Sequence, residues 1–183
     1  MLQGKTVLLA VSGGIAAYKM PNVAGMLKKL NCNVHVLMTE NAENFVTATT
    51  FETLTGNKCL IDTFDRNFEF SVEHVSLAKQ ADIVLIAPAT ANVIGKLANG
   101  IADDMLTTTV MGCKCPKLVA PSMNHNMYHN PIVQENMQKL EKFGYDIIAP
   151  EEEILANGDK GTGRMPSEEV LVKNICKKWI ELD

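Results

Sequence analysis

The stretch that most constrains the fold is residues 82–109, which predicts a buried strand, a turn and a helix in immediate succession. The strand is the apolar run 83–87, which Pro88 closes. A run that is apolar at every position is typical of a strand covered on both faces, as in a parallel sheet. Apolar residues then recur at helical spacing from Val93 to Ile101, and a second helical run covers 103–112. We therefore predict an open α/β sheet with helices on its faces.

The turn between this strand and its helix is a candidate ligand site. An open parallel sheet binds ligands beyond the carboxyl ends of its strands, which is where residues 89–92 are expected to lie. The small side chains of this turn let a flat ring approach the backbone. The side chains of Thr90 and Asn92 can form hydrogen bonds with polar ring edges. A purely structural interpretation also fits, in which Asn92 is the N-cap of the helix.

A glycine turn near the start of the chain is a second candidate. Residues 5–11 predict a strand, Ser12-Gly13-Gly14 breaks it, and residues 15–30 predict a helix in which Pro21 indicates a kink or a late start. With a strand over 32–38, this forms a βαβ unit with a right-handed crossover. Free amides and the helix dipole make such a turn a good anion site, although packing alone can also require it. The turn matches neither a dinucleotide fingerprint nor a P-loop.

The second strand is followed by Thr39, whose hydroxyl can donate a hydrogen bond to a phosphate beside the glycine turn. The alternative role of Thr39 is a helix N-cap, with Glu40 in the first turn. A carboxylate beside a phosphate is unfavourable. We therefore expect the Glu40 side chain to point away and only its amide to serve.

The rest of the chain continues the alternation of helices and strands. We predict helices over 44–55, 131–143 and 167–182, a short helix opening at Glu73, strands over 59–61, 116–120 and 145–149, and loops over 62–72 and 151–166. The loop over 151–166 is rich in glycine, and a loop of this length in a compact domain is typically functional or mobile.

The length, the net charge and the cysteine count exclude several classes of protein. A chain of 183 residues predicts a single domain, and the net charge of −4 without a basic stripe argues against nucleic-acid binding. No apolar run approaches the roughly 20 residues needed to span a bilayer, and residue 1 leads directly into a strand. The five cysteines are scattered and lack a zinc-site spacing, so we expect reduced thiols, no metal and a cytoplasmic location.

Six segments, in order, resemble the homo-oligomeric flavin-containing cysteine decarboxylases, and together they extend over essentially the whole chain. They are SGGIAAYK (12–19), MTENA (38–42), HVSL (74–77), PATANVIGKLANGIADD (88–104), PSMN (121–124) and ANGDKGTGRM (156–165). That family includes phosphopantothenoylcysteine decarboxylases of coenzyme A biosynthesis and peptidyl-cysteine decarboxylases of lantibiotic maturation. The resemblance implies a doubly wound, mostly parallel, Rossmann- or flavodoxin-like three-layer fold. The first and last segments favour the coenzyme A branch.

The resemblance also implies a site for FMN and for a cysteine-containing substrate. The implied cofactor contacts are Gly13, Gly14, Ile15, Thr39, Glu40, Asn41, Thr90, Ala91, Asn92, Val93 and Ser122. The implied substrate contacts are Asn124, which would bind the substrate carboxylate, with Ile154, Ala156 and Met165. His74 would be the catalytic base, and residues 151–166 a flexible clamp. The family assembles as homotrimers or as dodecamers built from trimers.

The implied reaction is FMN-dependent decarboxylation of 4′-phosphopantothenoylcysteine to 4′-phosphopantetheine, through a thioaldehyde and an ene-thiol. One position departs from the family pattern, because Asn157 stands where the proton-donating cysteine belongs. Asparagine cannot supply an acidic proton. The chain is then a decarboxylase arrested at the ene-thiol or one that uses another donor. The alternatives are an oxidative peptidyl-cysteine decarboxylase and a non-catalytic FMN-binding regulatory subunit. The length of 183 residues favours a protein without the ligase domain that some relatives carry.

Overall fold

A six-stranded, fully parallel sheet forms the middle layer of the protein, in a computed structural model that describes residues 2–63, 73–154 and 160–181. Its strands are β1 (Thr6–Val11), β2 (Asn33–Met38), β3 (Cys59–Leu60), β4 (Ile83–Ala89), β5 (Lys117–Pro121) and β6 (Tyr145–Ile147). They lie in the order β3-β2-β1-β4-β5-β6. The chain builds outward from β1 to β3 and then crosses to the other side of β1. The topological switch point therefore lies between β1 and β4, where open α/β sheets bind ligands.

Helices cover both faces of the sheet. They are α1 (Met20–Lys29), α2 (Ala48–Thr55), α3 (Glu73–Gln80), α4 (Ala91–Ala98), α5 (Met105–Gly112), α6 (His125–Tyr128), α7 (Pro131–Lys142) and α8 (Glu168–Ile180), with 3-10 helices over Ile15–Lys19 and Glu40–Asn44. Alternate residues of β1 point to opposite layers. Val7 and Leu9 pack with α1, α2 and α8, whereas Leu8 and Ala10 pack with α3, α4, α5 and α7. The predicted doubly wound three-layer α/β fold is confirmed.

The central strand shows why the sequence pattern was informative. All seven residues of β4 are buried, as a strand between two helical layers requires. The strand runs two residues further than predicted, through a cis Ala87–Pro88 bond to Ala89. The turn is displaced accordingly. The N-cap of α4 is Thr90, whose Oγ1 accepts a hydrogen bond from the Val93 amide at 3.4 Å, so the assignment of Asn92 as N-cap was wrong.

The prediction of a loop over 151–166 was also wrong for its described part. Residues Glu151–Ile154 (β7) and Lys160–Arg164 (β8) form an antiparallel hairpin. Glycines within a strand often mark a close approach of another backbone. Gly163 does so here, because a Cβ at this position would overlap the carbonyl oxygen of Met123.

The start of the first crossover helix agrees with the proline signal. Residues Ile15–Lys19 form a 3-10 turn, and α1 begins at Met20 with Pro21 in its first turn. The helix predicted over 44–55 is shorter than expected, since α2 begins at Ala48. Among the residues that the structure describes, no helix is both long and apolar enough to cross a bilayer.

Candidate functional site

Ser12 joins the two turns at the switch point. Its Oγ donates a hydrogen bond to the Pro88 carbonyl at 2.6 Å and accepts one from the Thr90 amide at 3.1 Å. The Ser12 side chain is 1% exposed, so these bonds form in a dry environment where a lost partner is costly. The serine thereby fixes the glycine turn after β1 against the turn after β4. Both candidate turns therefore face one site.

A cavity of about 600 Å³ opens beside these turns. It is lined by residues 13–16, Tyr18, Lys19, Thr90, Ala91, residues 122–125, Met127 and residues 161–165. Four separate parts of the chain thus meet around one space. A volume of this size accommodates a small organic ligand or cofactor. The charged side chains among the described lining residues, Lys19 and Arg164, are both cationic.

A second cavity of about 460 Å³ shares Gly13, Thr90, Ala91 and Met127 with the first. Its other lining residues include residues 39–41, Asn92, Val93, Lys96, Asp103 and Asp104. The Oγ1 atom of Thr39 is buried and has no hydrogen-bond partner among the described residues. Buried hydroxyls are normally hydrogen-bonded, so this atom points to a polar ligand group in the cavity.

The wall between the two cavities depends on glycine at position 13. A Cβ added to Gly13 would lie 2.5 Å from the Asn41 Cβ and 2.8 Å from its carbonyl carbon. The turn after β1 and the turn after β2 therefore touch without room for a side chain. This close approach gives the cavities their shape.

An ion-pair cluster forms part of the lining of the second cavity. Lys96 at the end of α4 lies 2.7 Å from an Asp103 oxygen and 3.1 Å from Asp104 Oδ2. Asp104 also caps α5 by accepting a hydrogen bond from the Thr107 amide at 2.7 Å. Burial alone would raise the pKa of Asp104, but the hydrogen bonds from Thr107 and the charge of Lys96 outweigh it and the pKa is lowered. The cluster holds α4 and α5 in place behind the turn that Thr90 begins.

The turn after β5 carries the predicted carboxylate anchor. Asn124 caps α6 through Oδ1, which accepts a hydrogen bond from the Asn126 amide at 2.9 Å. Its Nδ2 has no acceptor among the described residues, and Asn124 lines the first cavity. The structural role of Asn124 as a cap and its role as a donor to a ligand are therefore compatible.

The same turn docks the hairpin strand β8. The Met123 amide donates to the Gly163 carbonyl at 3.0 Å, and the Thr162 amide donates to Nδ1 of His125 at 2.9 Å. Because Nδ1 accepts, the imidazole carries its proton on Nε2. The hydrogen bond to His125 thus holds β8 beside the first cavity.

Replacing His125 with leucine is expected to loosen β8 locally. One hydrogen bond contributes about 1 kcal/mol, so the Thr162 amide is expected to exchange its hydrogen about fivefold faster. Amide hydrogen exchange measures this directly. The control is leucine at His129, whose ring contacts that of His125 but which is exposed and makes no bond to β8 among the described residues. Equal exchange rates in both variants would contradict the role of His125.

Most of the predicted site residues that the structure describes come together. Gly13, Thr90 and Ala91 line both cavities; Gly14, Ile15, Ser122, Asn124 and Met165 line the first; Thr39, Glu40, Asn41, Asn92 and Val93 line the second. Val93 and Met165 are 1% exposed and also belong to the core. His74 lies in the first turn of α3, and its side chain and that of Ile154 are outside the description, as are Ala156 and Asn157 altogether.

Sequence reasoning missed three residues of the site. Ser12 was noticed only as a strand breaker, although a serine before two glycines can hydrogen-bond a neighbouring turn. Lys19, at the end of the first motif, is only 9% exposed. His125 received no role from the sequence, but it is partly buried against β8.

These features define an α/β protein that binds a nucleotide-like ligand at the switch point of a doubly wound sheet. The family model described as Flavoprotein matches residues 1–180, so the chain belongs to the Flavoprotein family, in its branch of flavin-dependent cysteine decarboxylases.

Three similar proteins illustrate the match. "Coenzyme A biosynthesis bifunctional protein CoaBC" of Bacillus subtilis is 46% identical over 181 residues, which are 99% of this chain and 45% of that protein. "Probable phosphopantothenoylcysteine decarboxylase" of Streptococcus mutans is 41% identical over 93% of this chain and 97% of that protein. The solved structure of the FMN-dependent cysteine decarboxylase SpaF matches with a TM-score of 0.79 and 32% identity, over 96% of this chain and 99% of that one. The chain thus spans about half the length of the bifunctional relative.

Proposed function

We propose that the chain is an FMN-dependent carboxy-lyase that decarboxylates 4′-phosphopantothenoylcysteine on the route to 4′-phosphopantetheine in coenzyme A biosynthesis. The observation that carries this proposal is the meeting of four motif segments around one cavity of about 600 Å³. The names of the Bacillus and Streptococcus relatives support the choice of substrate.

The described residues fit FMN as the cofactor. Because Gly13 has no side chain, the turns after β1 and β2 can touch. The buried Thr39 hydroxyl, which has no hydrogen-bond partner among the described residues, can donate to a ligand oxygen in the second cavity. The Gly14 and Thr90 amides already donate to Ser12. The Gly13, Ile15 and Ala91 amides, which have no acceptor within the described part of the chain, could donate to polar groups of the cofactor. The name of the FMN-dependent SpaF structure supports the same cofactor. When bound, FMN would accept a hydride equivalent from the substrate and be able to return it.

Asn124 would hold the substrate carboxylate until it leaves as CO2. Its Nδ2 can donate to a carboxylate oxygen while Oδ1 remains engaged with the Asn126 amide. A neutral donor suits this task, because a salt bridge would stabilise the carboxylate that the reaction must remove. Ile154, Ala156 and Met165 would complete the substrate contacts.

His74 would remove a proton as the substrate thiol is oxidised. An imidazole can take and return protons near neutral pH. In a parallel α/β sheet the crossover helix runs antiparallel to the strands. The first turn of α3, with His74, therefore starts on the side where β3 ends and the cavities open.

We expect Asn157 to stop the reaction at the ene-thiol, because an amide is not an acidic proton donor. Anaerobic incubation with phosphopantothenoylcysteine should give a product that has lost CO2 and two hydrogens, with the flavin left reduced. The variant Asn157→Cys should instead give a product that has lost CO2 alone, and its flavin should end the reaction oxidised. Mass spectrometry and the flavin spectrum measure both results.

The same assay separates the alternatives. Loss of CO2 alone from the unmodified protein would mean that another group donates the proton and that Asn157 does not arrest the reaction. Unchanged substrate in both proteins would contradict the proposal and favour a peptidyl-cysteine substrate or a non-catalytic FMN-binding regulatory subunit. A protein that takes up no FMN would overturn all of these readings.

We propose that the chain assembles as a homotrimer or as a dodecamer of trimers. Support comes from large apolar side chains around the first cavity, where Ile15 is 71% exposed, Tyr18 60% and Met127 48%. Apolar surface beside a ligand site is typical of a protein interface. Sedimentation of the purified protein measures its mass.

We also propose a cytoplasmic location. All five cysteines are free thiols, which is typical of proteins in a reducing compartment. The proposed substrate is a small polar metabolite.

A further inference from the structure

Two cysteines lie beside each other at the edge of the sheet opposite the cavities. Cys113 is the C-cap of α5, and Cys115 follows two residues later, before β5 begins at Lys117. The cavities open at the carboxyl ends of the parallel strands, so a segment that precedes β5 lies at the other edge. Neither cysteine is among the described residues that line the two cavities. The pair is therefore separate from the site described above.

The two thiols are close enough to form a hydrogen bond with each other. The backbone of Cys113 is extended, with φ −72° and ψ 135°, and side chains two positions apart in an extended chain share a face. The Cys113 thiol donates to the Thr109 carbonyl at 3.3 Å. That carbonyl also accepts from the Cys113 amide at 3.1 Å, so it keeps a partner when the thiol turns away. The same hydrogen can then be donated to a thiolate at Cys115.

The environment of Cys115 favours its thiolate. The hydrogen bond from Cys113 is the chief cause that lowers the pKa of Cys115, and the Lys117 ammonium adds to it. That ammonium donates to the Cys115 carbonyl at 3.2 Å and lies 5.4 Å from the centre of the Tyr145 ring. Burial and the charge of Asp82 oppose the shift without reversing it. The same hydrogen bond, together with burial, raises the pKa of Cys113, so Cys113 holds its proton at neutral pH.

Access to solvent also differs between the cysteines. Cys32 and Cys59 are buried, and burial raises the pKa of each, that of Cys59 to about 12. A thiol reacts as its thiolate, so buried thiols of this kind are inert. Cys115 is partly exposed and can be reached by a small reagent, whereas Cys113 is only 5% exposed. A reagent therefore meets Cys115 first, with Cys113 directly behind it.

We propose that Cys113 and Cys115 form an exchange site for disulfides of low molecular weight, in which Cys115 attacks, Cys113 resolves and Lys117 is the cation that favours the attack. This inference does not depend on the proposed function. The Cys115 thiolate displaces one half of the small disulfide as a thiolate and forms a mixed disulfide with the other half. Cys113 then attacks the sulfur of Cys115 and releases the second half, which leaves an intramolecular disulfide. Two cysteine thiols are oxidised, one small disulfide is reduced to two thiols, and the protons of the cysteines pass to the released thiolates.

The test is incubation of the purified holoprotein with glutathione disulfide, an acid quench and mass spectrometry of the peptides. We expect the peptide with Cys113 and Cys115 to lose two hydrogens, and dithiothreitol to restore them. Cys113→Ser should stop at the mixed disulfide, with one glutathione on Cys115. Cys115→Ser should leave Cys113 unmodified. Cys176→Ser removes another partly exposed cysteine and is the matched control, which should still form the disulfide between Cys113 and Cys115.

Lys117→Met tests the part of the cation. Without the ammonium the pKa of Cys115 should rise, and alkylation of Cys115 by iodoacetamide at pH 7 should slow by about three- to tenfold. Lys114→Met is the matched control, because Lys114 is an exposed lysine between the two cysteines and should affect the rate less. Equal alkylation rates in the two variants would overturn the role of Lys117.

Three results would overturn the exchange site itself. One is a disulfide between Cys32 and Cys176, which are near each other, since burial and then the charge of Cys176 raise the pKa of Cys32. Another is glutathione attached to Cys176 alone. The third is a peptide that keeps both hydrogens in a large excess of glutathione disulfide, which would make the pair a packing feature of α5. Flavin content should be unchanged in Cys113→Ser, so none of these results bears on the proposed function.

Discussion

Replacing Gly13 with alanine is expected to remove most of the flavin from the purified protein while the chain stays folded. The new methyl group would lie 2.5 to 2.9 Å from the Cβ, the carbonyl carbon and the carbonyl oxygen of Asn41. Since backbone atoms cannot rotate away, the turns after β1 and β2 must separate. Overpacking of this kind costs about 1–3 kcal/mol. If this cost reduces the free energy of FMN binding rather than that of folding, it corresponds to about a ten- to hundredfold loss of FMN affinity.

Flavin absorbance per chain after gel filtration, together with an FMN titration, measures the effect of the Gly13 change. Gly14→Ala is the matched control, because its methyl group would lie 3.7 Å from the nearest atom, on Thr90. Gly25→Ala in α1 has no atom within 4 Å and tests the general effect of a methyl group. Full flavin content in Gly13→Ala would contradict the role of this contact. An equal loss in Gly14→Ala would show that space in the cavity, rather than strain against Asn41, is what matters.

Replacing Gly163 with alanine is expected to raise, about tenfold or more, the concentration of the proposed substrate, phosphopantothenoylcysteine, that half-saturates flavin reduction, and to leave the flavin content unchanged. Gly163 has a φ of +144°, which side chains rarely adopt, and its Cβ would overlap the Met123 carbonyl oxygen. Strand β8 must then move away from the turn after β5. The hydrogen bond from the Met123 amide to the Gly163 carbonyl, 3.0 Å long, is lost with it. Backbone strain and overpacking together cost about 1–3 kcal/mol or more.

Anaerobic single-turnover measurements of flavin reduction, together with the flavin content, separate the two parts of this prediction. Thr162→Ala is the control next to it in β8, since it keeps the backbone amide that donates to His125. We expect that variant to keep the half-saturating substrate concentration of the unmodified protein. A Gly163→Ala protein with an unchanged half-saturating concentration would show that the docking of β8 does not contribute to substrate binding. Loss of flavin as well would place the effect in the cofactor site.

The sheet was predictable because its signals are local. The unbroken apolar run over 83–87 can only be satisfied by cover on both faces, and all seven residues of β4 are indeed buried. Once that strand is parallel to β1, the carboxyl ends of both must share an edge. The positions of the glycine turn and of the turn around Thr90 at one site follow from the topology.

The hairpin over the cavity was not predictable in the same way. Its pairing of Glu153 with Gly161 joins segments on either side of residues 155–159, and its glycines indicate a turn when they are considered alone. The need for glycine at 163 arises from Met123, 40 positions earlier, and no local pattern contains that contact. The cap of α4 was misassigned for a similar reason, because β4 continues past its apolar run to Ala89.

The buried polar residues were missed because burial is a property of the assembled layers. Lys19 carries no sequence mark that distinguishes it from Lys28 and Lys29 of α1, neither of which is buried. Ser12 acquires its partners only when β1 and β4 lie side by side. In both cases the sequence identifies the chemistry of the side chain, but only the folded structure shows its environment.

The hydrogen bond between Ser12 and Thr90 spans 78 positions of the chain. The first cavity also takes residues from Gly13 to Met165, so its walls are complete only when nearly the whole sequence has emerged from the ribosome. A growing chain therefore presents only part of the binding surface until β8 has been synthesised. The complete first cavity is available only to a chain whose hairpin strand has docked against the turn after β5.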